Sequence, residues 1–176
     1  MRTSRSLTAA VWFVALPALV FAQASPPADT SVAIAGKAIS IKYSSPSVRG
    51  RKIFGDGGLI SNDPNYPVWR AGANAATALD TAGELTIGGL KVPPGKYTLF
   101  VLLDKGGWQL IVNKQTGQSG LDYDAKQDLG RVKMTMGKPP ALVEKYKMTL
   151  AATGGNKGKL TLEWENVIAS VDFTVK

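Results

Sequence analysis

Arg49, Arg51 and Lys52 put three cations into four positions, directly after Tyr43 and the turn Ser44-Ser45-Pro46-Ser47. A guanidinium group grips phosphate, sulfate or carboxylate through a planar fork that keeps its charge at any physiological pH. Gly50, between the two arginines, lets the backbone come close to a ligand. Further along, Val68-Trp69-Arg70-Ala71-Gly72-Ala73-Asn74 sets another arginine beside a tryptophan. Neighbours on a strand point to opposite faces, so burial of Trp69 turns Arg70 outward. Beyond Arg2 and Arg5 the chain has four Arg, and three of them lie between 49 and 70. The expected ligand surface is therefore Arg49, Arg51, Lys52 and Arg70, with Asn74 as a neutral hydrogen-bonding group. A structural alternative stands beside it. The first three can form a solvated basic turn, while Arg70 braces the 56–67 loop and Asn74 fixes a corner through its amide.

The remaining constellations carry less. Asp122, Asp124 and Asp128 offer oxygen ligands, but Tyr123, Ala125, Lys126 and Gln127 do not complete a calcium loop, so no metal is expected. Glu163 and Glu165 lie two apart on one strand face, without an apolar pocket to raise one pKa as glycoside hydrolysis requires. Ser44, Ser45 or Ser47 with Lys52 makes a nominal dyad that no strained nucleophile turn or oxyanion hole supports. The chain has no His and no Cys. That removes Ser-His-Asp and Cys-His catalysis, thiolate chemistry, disulfides and ordinary zinc, copper or haem ligation. A noncatalytic binding or envelope-associated domain without a cofactor is the expected function. A carboxylate-dependent carbohydrate-active enzyme is the alternative.

Something must position these residues. With 176 residues, 44% hydrophobic and 19% charged, the composition is that of one globular domain. Residues 1–24 read as a signal peptide: Arg2 and Arg5 precede the apolar run Leu7 to Phe21, and Ala22-Gln23-Ala24 supplies the cleavage site. Pro17 interrupts a run already short for a membrane span, so no transmembrane segment is expected after cleavage. Losing Arg2 and Arg5 lowers the formal charge of +8 by two. An exported location, periplasmic or extracellular, makes nucleic acid an unexpected partner; an anionic glycan or another anionic envelope component suits the compartment. Residues 25–37, small and Pro-containing, read as a flexible leader, leaving 38–176 as the domain.

From Ala38 onward the hydrophobic period is two. Ile39, Ile41 and Tyr43 alternate with Ser40, Lys42 and Ser44. Leu85 to Ile87, Leu90 to Val92, Lys96 to Leu103 and Trp108 to Val112 follow, punctuated by Gly-Gly and Pro-Pro-Gly turns. The 96–103 and 108–112 pair predicts a hairpin whose first strand is buried on both faces. Arg131 to Met136, Tyr146 to Leu150, Leu160 to Glu165 and Val167 to Val175 complete the pattern. It predicts an all-β fold, an antiparallel β-sandwich of roughly eight to ten strands, jelly-roll-like or immunoglobulin-like. Phe100 and Phe173 are expected inside the sandwich, and Ser47–Phe54 and Asp122–Asp128 are expected to form short helical turns. Asp56–Pro67 is the expected long loop.

YSSPSVRGRKIFG (43–55), VWRAGANAAT (68–77), IGGLKVPPGKYTLF (87–100), NKQTGQSG (113–120) and DLGRV (128–132) occur in one order. Together they resemble a family of exported bacterial domains of unknown function, over about residues 38–176. The resemblance implies a single exported β-rich domain and transfers no activity. The chain departs from the family's pattern twice: similar sequences often carry a Glu in the stretch where Ala75-Ala76 stand, and a Trp where Ser119 stands.

Overall fold

A computed structural model describes residues 24–176; the expected signal peptide, apart from Ala24, lies outside them. Thirteen strands form two antiparallel sheets packed face to face, an all-β sandwich. The first sheet holds β1 (Pro27–Ile34), β2 (Lys37–Ser44), β3 (Val68–Trp69), β4 (Thr77–Thr81), β7 (Gly95–Leu102), β8 (Gln109–Asn113) and β9 (Asp128–Lys133). Its order is β1-β2-β4-β7-β8-β9, with β3 also on β7. The second holds β5 (Leu85–Ile87), β6 (Leu90–Val92), β10 (Thr135–Gly137), β11 (Val143–Gly154), β12 (Lys157–Glu165) and β13 (Val167–Val175). There the order is β11-β12-β13-β5-β6, and β10 pairs with β13.

Alternation decides which side chains enter the core. Ile39, Ile41 and Tyr43 of β2 face inward, as do Ala169, Val171, Phe173 and Val175 of β13. The segment after β2 leaves the first sheet for the second. Val48 N–H donates to the Glu144 carbonyl at 2.8 Å, and Tyr146 N–H donates to that of Pro46 at 2.8 Å. This crossing ties β2 to β11 and covers one open side of the sandwich, where Leu150 N–H also donates to Thr30 Oγ1 of β1.

Three sequence expectations need correction. Residues 25–37 are not a flexible leader, because β1 pairs with β2 from Pro27 opposite Ser44 to Ile34 opposite Lys37. Its inward residues, Ala28, Thr30, Val32 and Ile34, alternate faithfully but are small for half their length. Ser47–Phe54 forms no helix; it is an irregular crossing that buries Val48 and Ile53. A short 3₁₀ turn instead occupies Leu59–Asn62 inside the long loop, with another at Ala125–Gln127 where a helical turn was expected. Phe100 is buried, but outside the sandwich: with Val68 and Ile111 it forms a separate cluster, packed by Leu102 and Tyr123. β7 is thus buried on both faces, its outer one by the chain between β8 and β9.

Candidate functional site

The most informative local feature is a break in the first sheet. Trp69 of β3 pairs with Val101, and Thr77 of β4 pairs with Leu99, both along one side of β7. Residues 70–76 therefore stand where a regular strand would place one residue opposite Phe100. They bulge out of the sheet, and two of them, Ala71 (φ 50°) and Asn74 (φ 58°), adopt left-handed backbone. The bulge is fastened at its base. Thr77 Oγ1 donates to the Ala71 carbonyl at 2.9 Å, and Trp69 Nε1 donates to that of Gly72 at 3.1 Å. Gly120 lies against its outer side, where a Cβ would come within 2.7 Å of both Arg70 Cδ and the Asn74 carbonyl oxygen.

Between this bulge and the 59–64 segment lies a cleft of about 350 Å³. Asn62, Asp63, Arg70 and Asn74 supply its polar lining, and Trp69 and Trp164 reach it from the core. Arg70 Nη2 donates to Asp63 Oδ2 at 2.7 Å, with side-chain exposures of 20% and 6% respectively. Asp63 Oδ1 also accepts from Asn65 N–H at 3.0 Å, so one carboxylate pins the loop to itself and to the bulge. Asn74 Nδ2 donates to the Ser25 carbonyl at 3.1 Å.

Of the five residues expected to form one surface, the cleft brings together Arg70 and Asn74. The other three belong to the 47–52 crossing and do not line it. Arg51 donates from Nε to the Val48 carbonyl (3.0 Å) and from Nη2 to that of Ser47 (2.7 Å). Lys52 Nζ donates to the Asp56 carbonyl at 2.6 Å. Arg49 sits at φ 50°, and its backbone N–H donates to Glu144 Oε1 at 2.9 Å. Sequence reading did not pick out Asp63, Asn62 or Trp164. Asp63 sits in a stretch dense with turn formers, which marked a loop without indicating which side chain would fold back on it.

The carboxylates proposed for chemistry have other work. Glu163 pairs with Lys147 at 2.9 Å, and Glu165 Oε1 accepts from Ile53 N–H at 3.0 Å. Asp124 caps the second 3₁₀ turn by accepting from Lys126 N–H. Asp128 accepts from Asn113, Tyr123 and Arg131. Burial pushes the Tyr123 hydroxyl up to about 12, and its hydrogen bond to Asp128 adds to the shift. Among the described residues no group of three or more acidic side chains is placed to hold a metal ion. No helix among them is long and apolar enough to cross a membrane.

An all-β sandwich with a cleft cut into one sheet by a seven-residue bulge is the class of protein these observations define. The chain belongs to the family described as "Protein of unknown function (DUF2911)", whose model matches residues 25–173. No curated protein and no solved structure matches it. Ala75 and Ser119 form an isolated β-bridge at the outer edge of the bulge, beside Asn74 and Gly120.

The ion pair gives a stability test. Arg70→Ala should lower stability by about 1–3 kcal/mol, because it leaves the nearly buried Asp63 carboxylate without its charged partner. A denaturant melt unchanged within error would show that the pair does not hold the loop.

Proposed function

We propose that this is an exported, noncatalytic binding domain whose ligand is a glycan or another polar envelope component held in the cleft beside Arg70 and Asn74. The cleft itself carries the reading: its hydrogen-bonding groups are amides and a mutually neutralised ion pair, over a floor with two indole side chains. Such a lining suits a ligand that offers hydroxyls and carbonyls more than a strongly charged one. Asp63 is the one carboxylate in it, and Arg70 holds it. The two-carboxylate arrangement that glycoside hydrolysis needs is therefore not assembled there, which favours binding over the enzymatic alternative.

The experiment is a glycan array on residues 25–176, followed by Asn74→Gly. Glycine accepts the left-handed backbone at 74 at no steric cost, so the variant should keep its melting temperature within a few degrees while losing the amide. Weaker binding at unchanged stability supports a ligand contact. Unchanged binding to every array hit would remove Asn74 from the site.

Export is the second part. The family match begins at Ser25, which coincides with the residue expected after cleavage at Ala22-Gln23-Ala24. N-terminal sequencing of the protein recovered from its host should read Ser25 first. An intact Met1 chain in the membrane fraction would refute this.

A further inference from the structure

Arg51 and Lys52 are committed to carbonyls and Arg70 to Asp63, yet another part of the first sheet presents cations to an open trough. We propose that the outer face of β2, β4 and β7 is a second binding site, for an oligosaccharide that carries carboxylates.

The trough, about 370 Å³, is lined by Ser40, Lys42, Ala78, Asp80, Lys96 and Thr116, with backbone from neighbouring positions. Its floor follows from register: Lys42 pairs with Ala78, and Asp80 with both Ser40 and Lys96. Exposed Ala78, between the longer side chains, leaves the depression. Its wall is the loop after β8, fastened to the sheet where Thr98 Oγ1 donates to the Gln115 carbonyl at 2.8 Å and Gln118 Nε2 donates to Thr98 Oγ1 at 3.1 Å. Thr98 is buried under that loop, so the sheet opens just where the loop ends.

Charge and hydroxyl content select the ligand. Lys42 stands opposite the exposed Asp29 of β1 without closing an ion pair with it, so its ammonium group is open to a ligand. Lys96 meets Asp80 at 3.6 Å, with both side chains more than half exposed, so solvent screens that pair and a ligand can replace it. The two lysines lie two strands apart and two residues out of register, which places their Cα atoms about 12 Å apart. Two ammonium groups so spaced suit successive carboxylates along an extended sugar chain, while Ser40, Thr116 and Asp80 can meet its hydroxyls. A lipid surface fits less well. Among the described residues the exposed large apolar side chains are Leu59, Tyr66, Leu121, Met136 and Leu142, and none of them lines the trough.

The probe is a short oligogalacturonate, titrated against residues 25–176 alongside vesicles of phosphatidylglycerol. The wild type should bind the oligouronate, more weakly as salt rises. The exposed double variant Lys42→Glu with Lys96→Glu should fold normally and lose about tenfold or more in affinity. Lys157→Glu, on β12 of the other sheet, should stay within about twofold. Asn74→Gly should leave this binding intact, so failure of the cleft reading and failure of this one are separable. No oligouronate binding by the wild type overturns the proposal. So does binding that survives the double reversal, and so does binding to vesicles alone.

Discussion

Trp69→Ala should cost about 3–5 kcal/mol, a loss that brings a domain at the low end of the usual range of roughly 5–15 kcal/mol close to unfolding. Trp69 is 1% exposed, and four rings surround it. Phe54 and Tyr146 meet it edge-on at 5.6 and 5.1 Å, Trp108 at 6.4 Å, and Trp164 stacks at 5.8 Å with an interplanar angle of 21°. Such pairs stabilise beyond the area they bury. Truncation also removes the donor to the Gly72 carbonyl, which anchors the bulge. Trp69→Phe separates these contributions. It keeps a ring in the cluster but drops the hydrogen bond and some volume, so a smaller loss is expected. Denaturant melts of both variants supply the comparison. A shift under about 1 kcal/mol for the alanine variant would mean that this cluster is not the keystone of the site.

The same tryptophan shows how much a sequence discloses. Trp69 beside Arg70 implied one side chain inward and the other outward, since period two is a local property; Trp69 is buried, and Arg70, the first residue beyond β3, lines the cleft. The main strands were legible for the same reason, from Ile39 to Tyr43 and from Val167 to Val175. β1 was missed because Ala28, Thr30 and Val32 alternate without bulk, and an edge strand draws its stability from a partner that composition does not reveal. Phe100 was placed on the wrong side because alternation fixes which residues share a face, not which face another segment will cover. The residues expected to form one positive surface are dispersed for a different reason. Arg51 and Lys52 lie close enough in sequence to their own loop carbonyls to be captured by them, and Asp63 is seven residues from the arginine it neutralises. Charge counting sees cations; it does not see their local acceptors. The trough on β2, β4 and β7 was invisible for the converse reason, since Lys42 and Lys96 are far apart in sequence and meet only through strand order.

Two phenylalanines should separate the two clusters. Phe173 is 4% exposed at the heart of the sandwich, so close to β12 that a Cβ at Gly158 would lie 2.3 Å from its ring. Phe173→Ala should cost about 3–5 kcal/mol and weaken the whole domain cooperatively. Phe100 is 1% exposed, but it packs outside the sandwich with Val68, Ile111 and Tyr123, whose ring lies 4.9 Å away. A loop covers it, and a loop can settle into the space left behind. Phe100→Ala should therefore cost about 3 kcal/mol or less, with its effect concentrated in the 114–128 segment. Amide exchange should quicken there and stay slow in β12 and β13. Tyr123 provides a second readout. Its pKa is raised, first by burial, so its contribution to stability is complete below the ordinary value near 10 and is lost as pH climbs through about 12. Admitting water beside the ring weakens the larger cause, so tyrosinate absorbance in Phe100→Ala should appear at lower pH than in the parent, whereas Phe173→Ala should leave that titration in place while the protein stays folded. If Tyr123 titrates unchanged in Phe100→Ala and exchange quickens everywhere alike, the outer cluster is an extension of the main core, and the loop that walls the trough has no separate stability of its own.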